Sequence, residues 1–354
     1  MAKNDSTKAF TTNTKYKKKS RKSKQRVRQQ VVISIFAVIA LILVVFATLI
    51  IGKIITHKKV EPTPQAPEAV YTVSCNAEDL KKGNLLLINS EHPFDYATNN
   101  LLSSSYSDPP NSLVNLWAFK NNLSNNDKTK INNIPTYELA NPNFANQICL
   151  EENTLIAFNE MLLDYCKTLN LDNYVSGSAS NINIAWGWSH QSGLVEDIRD
   201  YGESFHNQSD GKSITLMYVN PDLTSERVTE NVLKNKLSWI YENAHKYGFI
   251  IRYPNGCKDH TGFDSNARIH LRYIGVEHAT YIHENGCCLD KYLETLRANY
   301  TYNNPLVINS ADGKTYEVYY IAYTGNPTNV PVPEGKTHYI SGDNMNGFIV
   351  TVEQ

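Results

Sequence analysis

Three residues have the types and spacing for hydrolytic chemistry. The stretch Trp188–Ile198 (WSHQSGLVEDI) holds His190 and Asp197 seven residues apart, with Gly193 between them. Eighty residues after His190, His270 sits in Ile269–Gly275 (IHLRYIG). Two imidazoles and one carboxylate make a three-ligand zinc site with its fourth position open for water. A metal there lowers the pKa of its water toward neutrality and polarises an attacked carbonyl. Spacing alone leaves a blander reading open. With ten histidines in the chain, His190 can equally be a surface residue and His270 a satisfied strand histidine.

The elements that must hold these residues carry mixed α and β signals. Asn84–Asn89, Ser213–Val219, Phe249–Tyr253 and Ile269–Ile274 are short apolar runs that read as strands. Glu151–Asn170 has apolar residues at helical spacing. A long helix is predicted from Ser225 to Tyr247, capped by Thr224 or Ser225 and ended by Gly248. Another is predicted over His278–Arg297. Beyond Tyr300, Pro305–Asn309, Thr315–Tyr323 and Gly347–Val352 alternate or carry β-branched runs, and Ala311–Asp312–Gly313 offers a hairpin turn. Six cysteines in no compact zinc spacing permit disulfides in an exported domain. Cys288, in an apolar helical pattern, is expected in the core.

The net charge of −1 hides an asymmetry. Residues 1–30 carry eleven Lys/Arg and one acid, Asp5, for a net +10, and residues 60–354 carry −14. A strongly acidic main domain excludes nucleic acid as its partner, since phosphate binding needs a basic face. Val31–Gly52 is 22 residues without a charge. As a helix it rises about 33 Å, enough to cross a hydrocarbon core of about 30 Å. The run is too long for the apolar region of a cleaved signal peptide. The basic cluster before it predicts a retained signal anchor with a cytoplasmic N-terminus. The expected organisation is a basic cytoplasmic tail (1–30), a transmembrane span (31–52), a Pro-rich linker (53–70), a main domain (71–300) and a small β appendage (301–354). The protein is therefore expected in the cell membrane as a single-pass chain with its folded domain outside.

Three segments together resemble one family. Ser189–Ile198 (SHQSGLVEDI), Trp239–Pro254 (WIYENAHKYGFIIRYP) and Ile269–Leu293 are similar to the VanY-type D-alanyl-D-alanine carboxypeptidases, zinc peptidases of the cell wall. The family pattern is His–x–x–Gly–x–Ala–x–Asp, then a Tyr–Gly–Phe strand, then a second His followed by x–Arg–Tyr–x–Gly. Order and spacing agree over roughly residues 75–300, with Val195 at the Ala position. The resemblance implies zinc held by His190, Asp197 and His270. It implies an α+β fold with helices packed on a small antiparallel sheet. The implied substrate is a peptidoglycan stem peptide, trimmed of its terminal D-alanine.

The departures from that pattern bear on activity. In the family a Glu three residues before the second His acts as general base; here that position is Ala267. An upstream Ser–Gly–Tyr–Arg supplies the Arg that holds the substrate carboxylate; here Ser176–Gly177–Ser178–Ala179 puts Ala179 in its place. Trp188 replaces a usual Ser and is expected to reshape the pocket. Asp264 and Glu277 are weak substitutes for the base, and Arg268 for the anchor; solvated surface charge is the plainer account of each. Arg252 and Arg272 match family positions, and structural ion pairs explain them as well as function does. Two functions follow: a carboxypeptidase-like zinc peptidase with impaired catalysis, or a non-catalytic module that binds or senses wall peptides.

Overall fold

The computed structural model describes residues 70–103, 110–115, 138–139, 149–169, 182–188, 209–222, 224–262 and 270–354. The basic tail and the expected span lie outside these residues. Among the described residues no helix is long and apolar enough to cross a membrane. Glu68–Gln354 forms one compact unit.

The strands are β1 (Val70–Cys75), β2 (Val114–Asn115), β3 (Glu138–Leu139), β4 (Cys149–Leu150), β5 (Ile182–Trp186), β6 (Ser213–Val219), β7 (Ser225–Arg227), β8 (Phe249–Ile251), β9 (His270–Tyr273), β10 (Leu306–Asn309), β11 (Thr315–Ala322), β12 (Thr328–Pro333), β13 (His338–Gly342) and β14 (Gly347–Glu353). The α-helices are α1 (Glu152–Thr168), α2 (Glu230–Lys236), α3 (Ser238–Asn243), α4 (Lys258–Thr261), α5 (Val276–Asn285) and α6 (Leu289–Asn299).

The central sheet runs β3-β5-β6-β9-β8, with β7 paired to β6. It is antiparallel except where β3 pairs with β5. Its side chains alternate between two faces. Ile214, Leu216, Leu271 and Phe249 join a core with Leu155, Phe158 and Leu162 of α1 and with Leu233 of α2. Residues one step along point the other way, and Ser213, Thr215, His270 and Arg272 are all buried polar groups. Glu151 caps α1, its carboxylate accepting from the Thr154 N–H at 3.0 Å.

The expected helix over Ser225–Tyr247 is corrected. Asn220–Pro221–Asp222 turns the chain, and the Thr224 carbonyl accepts from the Asn220 N–H at 2.8 Å. Ser225–Arg227 therefore returns along β6 as a strand. Helix starts only after Thr229, whose hydroxyl accepts from the Val232 N–H. Leu237 leaves helical geometry and separates α2 from α3. Gly248 does end the segment, in the left-handed region at φ 81°, where a Cβ would lie 2.6 Å from the Tyr273 ring. Likewise the expected helix over His278–Arg297 is two helices, broken at Gly286 with φ 57°.

Asn84–Asn89 is a second correction. Leu85–Ile88 are buried, but they form no strand. The Leu85 N–H donates to Ser341 Oγ at 3.0 Å and the Leu87 N–H to the Asp343 carbonyl at 3.1 Å. The segment's apolar content reports burial between two layers, and its backbone partners are too irregular for a ladder.

The last layer is a four-stranded antiparallel sheet, β10-β11-β14-β13, beside the β1–β12 pair. Its Ile308, Val318 and Ile349 share a core with Leu293 and Leu296 of α6, with Leu85 and with Ile250 of β8. Packing thus continues across the boundary expected near residue 300. The hairpin turn at 311–313 is present, with Gly313 at φ 83°. All six cysteines are free, and Cys288 is fully buried.

Candidate metal and peptide site

β9 starts at His270, which is 1% exposed. Its cross-strand partner is Thr215 of β6. The two side chains meet with Thr215 Oγ1 2.8 Å from His270 Nδ1. The main chain is held as well, the His270 carbonyl accepting from the Arg252 N–H at 3.0 Å. With Nδ1 engaged, the other edge of the ring is Nε2. A metal-ligating histidine is commonly held this way, one nitrogen hydrogen-bonded and the other turned to the metal. The buried, pinned ring fits a ligand role.

His190 and Asp197 lie outside the described residues, as do Ala179, Asp264, Ala267 and Arg268. Among the described residues, no three His, Cys, Asp or Glu side chains cluster as a metal site.

Arg272 shares the face of His270, one pair along the strand. It is fully buried and forks onto Asp210, with Nη2 2.7 Å and Nη1 3.2 Å from the two carboxylate oxygens. Its Nη2 also donates to the Leu86 carbonyl at 3.4 Å. Arg252 is equally buried, paired to Asp290 and lying 4.6 Å from the centre of the Tyr253 ring. Both arginines are built into structural ion pairs. A cavity of about 160 Å³ adjoins the Arg272–Asp210 pair, lined by Glu151, Asp210, Lys212 and Asn99 among others.

Trp188 packs into a small core, and the residues that frame the pocket it is expected to reshape lie outside the described residues. It is 3% exposed and packs with Leu86, Ile88, Phe94, Leu113 and Cys149. Its backbone N–H donates to the Cys149 carbonyl at 2.8 Å. A large indole at this position completes a satellite core.

Glu277 lies in the first turn of α5, past the far end of β9 from His270, and three strand steps alone separate His270 from Tyr273 by about 10 Å. Burial raises its carboxyl to about 7, with Asp312 adding to the rise and Lys314 opposing it. The structure brings it beside His278, whose Nε2 is 3.4 Å from Oε1. His278 in turn meets the Tyr292 hydroxyl at 2.8 Å and Thr351 Oγ1 at 3.1 Å. Burial lowers the His278 pKa to about 3. Glu277 therefore belongs to a buried cluster under the C-terminal layer.

Sequence reading missed Thr215 and Asp210. The strand over Ser213–Val219 was legible, and alternation put Ser213 and Thr215 on one face. The pairing register that sets Thr215 against His270 was not.

Residues 187–276 match the family model described as VanY, D-alanyl-D-alanine carboxypeptidase. A D-alanyl-D-alanine carboxypeptidase of Enterococcus faecium is 32% identical over 287 residues, covering 78% of this chain and 77% of that protein. The chain belongs to the VanY family. The putative carboxypeptidase YodJ of Bacillus subtilis is 32% identical over 114 residues, covering 30% of this chain and 32% of that protein. The solved structure of the vancomycin resistance D,D-dipeptidase VanXYg, in complex with a D-Ala-D-Ala phosphinate analog, aligns with TM-score 0.55 at 22% identity. It covers 81% of this chain and 100% of that one. This likeness supports the VanY-like fold of helices and sheets described above.

Proposed function

We propose that this VanY-family domain holds zinc through His190, Asp197 and His270 and engages the D-Ala-D-Ala end of peptidoglycan stem peptides, with impaired hydrolysis. The observation that carries the reading is His270, buried at the start of β9 and fixed through Nδ1 by Thr215. Its place in the family motif and its pinned ring agree. When bound, zinc supplies Lewis acidity and a water of lowered pKa.

The chain's own residues set the limits of the chemistry. Ala267 offers no group to accept a proton where the family has Glu. General-base assistance contributes about 10²–10⁴ in rate. Ala179 offers no cation for the substrate carboxylate. Arg252 and Arg272, the two arginines of the matching motifs, are committed to Asp290 and Asp210. Neither replaces the anchor. Those commitments favour a second reading, a module that binds or senses wall peptides without cleaving them.

We place the domain outside the cell, tethered by the uncharged stretch Val31–Gly52 behind a tail of net charge +10. Protease added to intact protoplasts is expected to degrade the domain and spare an N-terminal tag; a protected domain overturns the topology.

The deciding assay follows release of free D-alanine from a pentapeptide ending in D-Ala-D-Ala. Metal content is measured in the same preparations. Zinc retained by wild type and lost in the His190→Ala, His270→Ala double variant supports the site. Unchanged zinc in that variant overturns it. Robust turnover by the unmodified protein overturns the impairment.

A further inference from the structure

We propose that Cys257 and Cys288 are a disulfide-forming pair that staples α4 to α6. The proposal rests on the reading that places the domain outside the cell, where thiols oxidise and disulfides persist. Cys257 stands at the N-terminal cap of α4 and Cys288 at that of α6. The two thiols share a hydrogen bond.

The surrounding contacts hold the two helix starts together without the bond. Arg252, shortly before Cys257, is paired to Asp290, just inside α6. His260 of α4 has Nδ1 3.1 Å from Glu294 Oε2 of α6. The two helices pack against each other. In sequence the thiols lie between these two bridges, so closing the bond asks for little movement of the main chain. It also closes a loop of roughly 30 residues, which takes conformational freedom from the unfolded chain.

Cys287 is the competing partner. It follows Gly286, the left-handed residue that ends α5, and packs against the core that holds Ile282 and Leu289. Cys257 acts on it electrostatically, but the hydrogen bond goes to Cys288. Cys287 and Cys288 are poor partners for each other. Adjacent Cα atoms stand about 3.8 Å apart, below the usual disulfide span of about 4.4–6.8 Å.

The bond forms by exchange with an incoming disulfide, either that of an exported thiol–disulfide oxidoreductase or a small one such as oxidised glutathione. Cys257 is the less buried thiol, at 8% exposure against 0% for Cys288. Its thiolate attacks one sulfur of the oxidant and expels the other as a thiolate. Cys288 Sγ then attacks Cys257 Sγ, and the second oxidant sulfur leaves. The Cys257–Cys288 bond forms, two electrons pass to the oxidant, and its two thiolates take up the two protons. Burial pushes the Cys288 thiol up to about 12, so little thiolate is present there at neutral pH and closure is faster in alkali.

The test incubates the purified full chain with reduced and oxidised glutathione, traps remaining thiols with a maleimide, and maps cross-linked peptides by mass spectrometry without reduction. The expected result is two thiols lost per chain and one peptide pair joining Cys257 to Cys288. A chain that keeps all six thiols in oxidised glutathione overturns the proposal, and so does a Cys257–Cys287 product. Oxidised protein is expected to melt about 5–10 °C above reduced protein, a gap absent from Cys257→Ser. An equal or lower Tm on oxidation overturns the staple. Should Cys257→Ser fail to fold, the peptide map and the melting of wild type decide. The same trapping on intact cells separates the two claims. Free thiols in cells, beside a bond that forms in the purified chain, overturn the outside placement of the domain and leave the pair standing.

Discussion

Arg272 and Asp210 form a buried, two-pronged ion pair directly beside His270. The nearer contact is 2.7 Å and neither side chain is more than 3% exposed. The pair fastens β9, which carries His270, to the turn that precedes β6. Removing one partner strands a charge in a medium that solvates it poorly. Asp210→Ala is therefore expected to destabilise the domain by about 3–5 kcal/mol. Replacing both, as Asp210→Ala with Arg272→Met, is expected to recover most of that loss, since the cost lies in the orphaned charge. Urea denaturation of the two variants checks both statements. A single variant as stable as wild type would show the pair open to water.

Glu277 makes stability depend on pH. Its carboxyl, ordinarily near 4.5, is raised to about 7 by burial. Between those values the folded chain keeps a proton that the unfolded chain has lost. The contribution is fully present below the unfolded value and disappears as pH rises through about 7. His278, lowered from 6.5 to about 3, acts in the opposite sense, its contribution falling away as pH drops below 6.5. In wild type the two slopes partly cancel. Glu277→Gln removes the first and leaves the second. The stability of wild type minus variant is expected to fall by roughly 3 kcal/mol between about pH 4 and pH 8. A flat difference curve would place the carboxyl in solvent.

How much of this was legible in the sequence divides by range of interaction. Ser213–Val219 and the Ala311–Gly313 turn were readable because local residues decide them. The Ser225–Tyr247 helix was misread because β6 recruits Ser225–Arg227 as a pairing partner, a tertiary demand that overrides helical spacing. Asn84–Asn89 looked like a strand because burial on both sides produces the same apolar run. The three proposed zinc ligands were legible only through the family resemblance, since residue type and spacing alone left a blander reading of the histidines open. Their support was not, because Thr215 is 55 residues from His270 and the contact exists only in one register.

The C-terminal layer is expected to be required for folding. Ile308, Val318 and Ile349 sit in the same core as Leu289, Leu293 and Leu296 of α6. β1, at the other end of the compact unit, pairs along its whole length with β12. A chain ending at Tyr300 exposes that side of α6 and leaves β1 unpaired. We expect it to lose the cooperative thermal transition of the full chain, as followed by near-ultraviolet circular dichroism. An unchanged transition would make residues 301–354 a dispensable appendage.

Trp188→Ser is expected to cost stability rather than to open a pocket. The indole fills a cluster with Leu86, Phe94 and Cys149. Large aromatic deletions in cores typically cost about 3–5 kcal/mol. Chemical denaturation reads this directly. A variant of wild-type stability with gained D-alanine release would return Trp188 to the pocket wall.

The last prediction concerns Ala267 and restores what the family pattern has and this chain lacks. If His190, Asp197 and His270 hold zinc, the missing step is removal of a proton from the attacking water. Ala267→Glu places a carboxylate three residues before His270, on the run into β9. Its expected effect is a rise in D-alanine release of about 10²-fold, the lower end of what a general base contributes. The lower end is appropriate because Ala179 still leaves the substrate carboxylate unanchored, and a loosely placed substrate loses rate on its own account. Adding Ala179→Arg is expected to act mainly through positioning, lowering KM and raising kcat further. Asp264→Asn and Glu277→Gln serve as controls. If wild type turns over and either one abolishes the rate, that side chain is the working base. Glu277 is the less favoured of the two, since its carboxyl lies against His278 under the C-terminal layer. No gain in the double variant, with zinc bound and the fold intact, would show that the chain has lost more than these two side chains, and would leave peptide binding as its function.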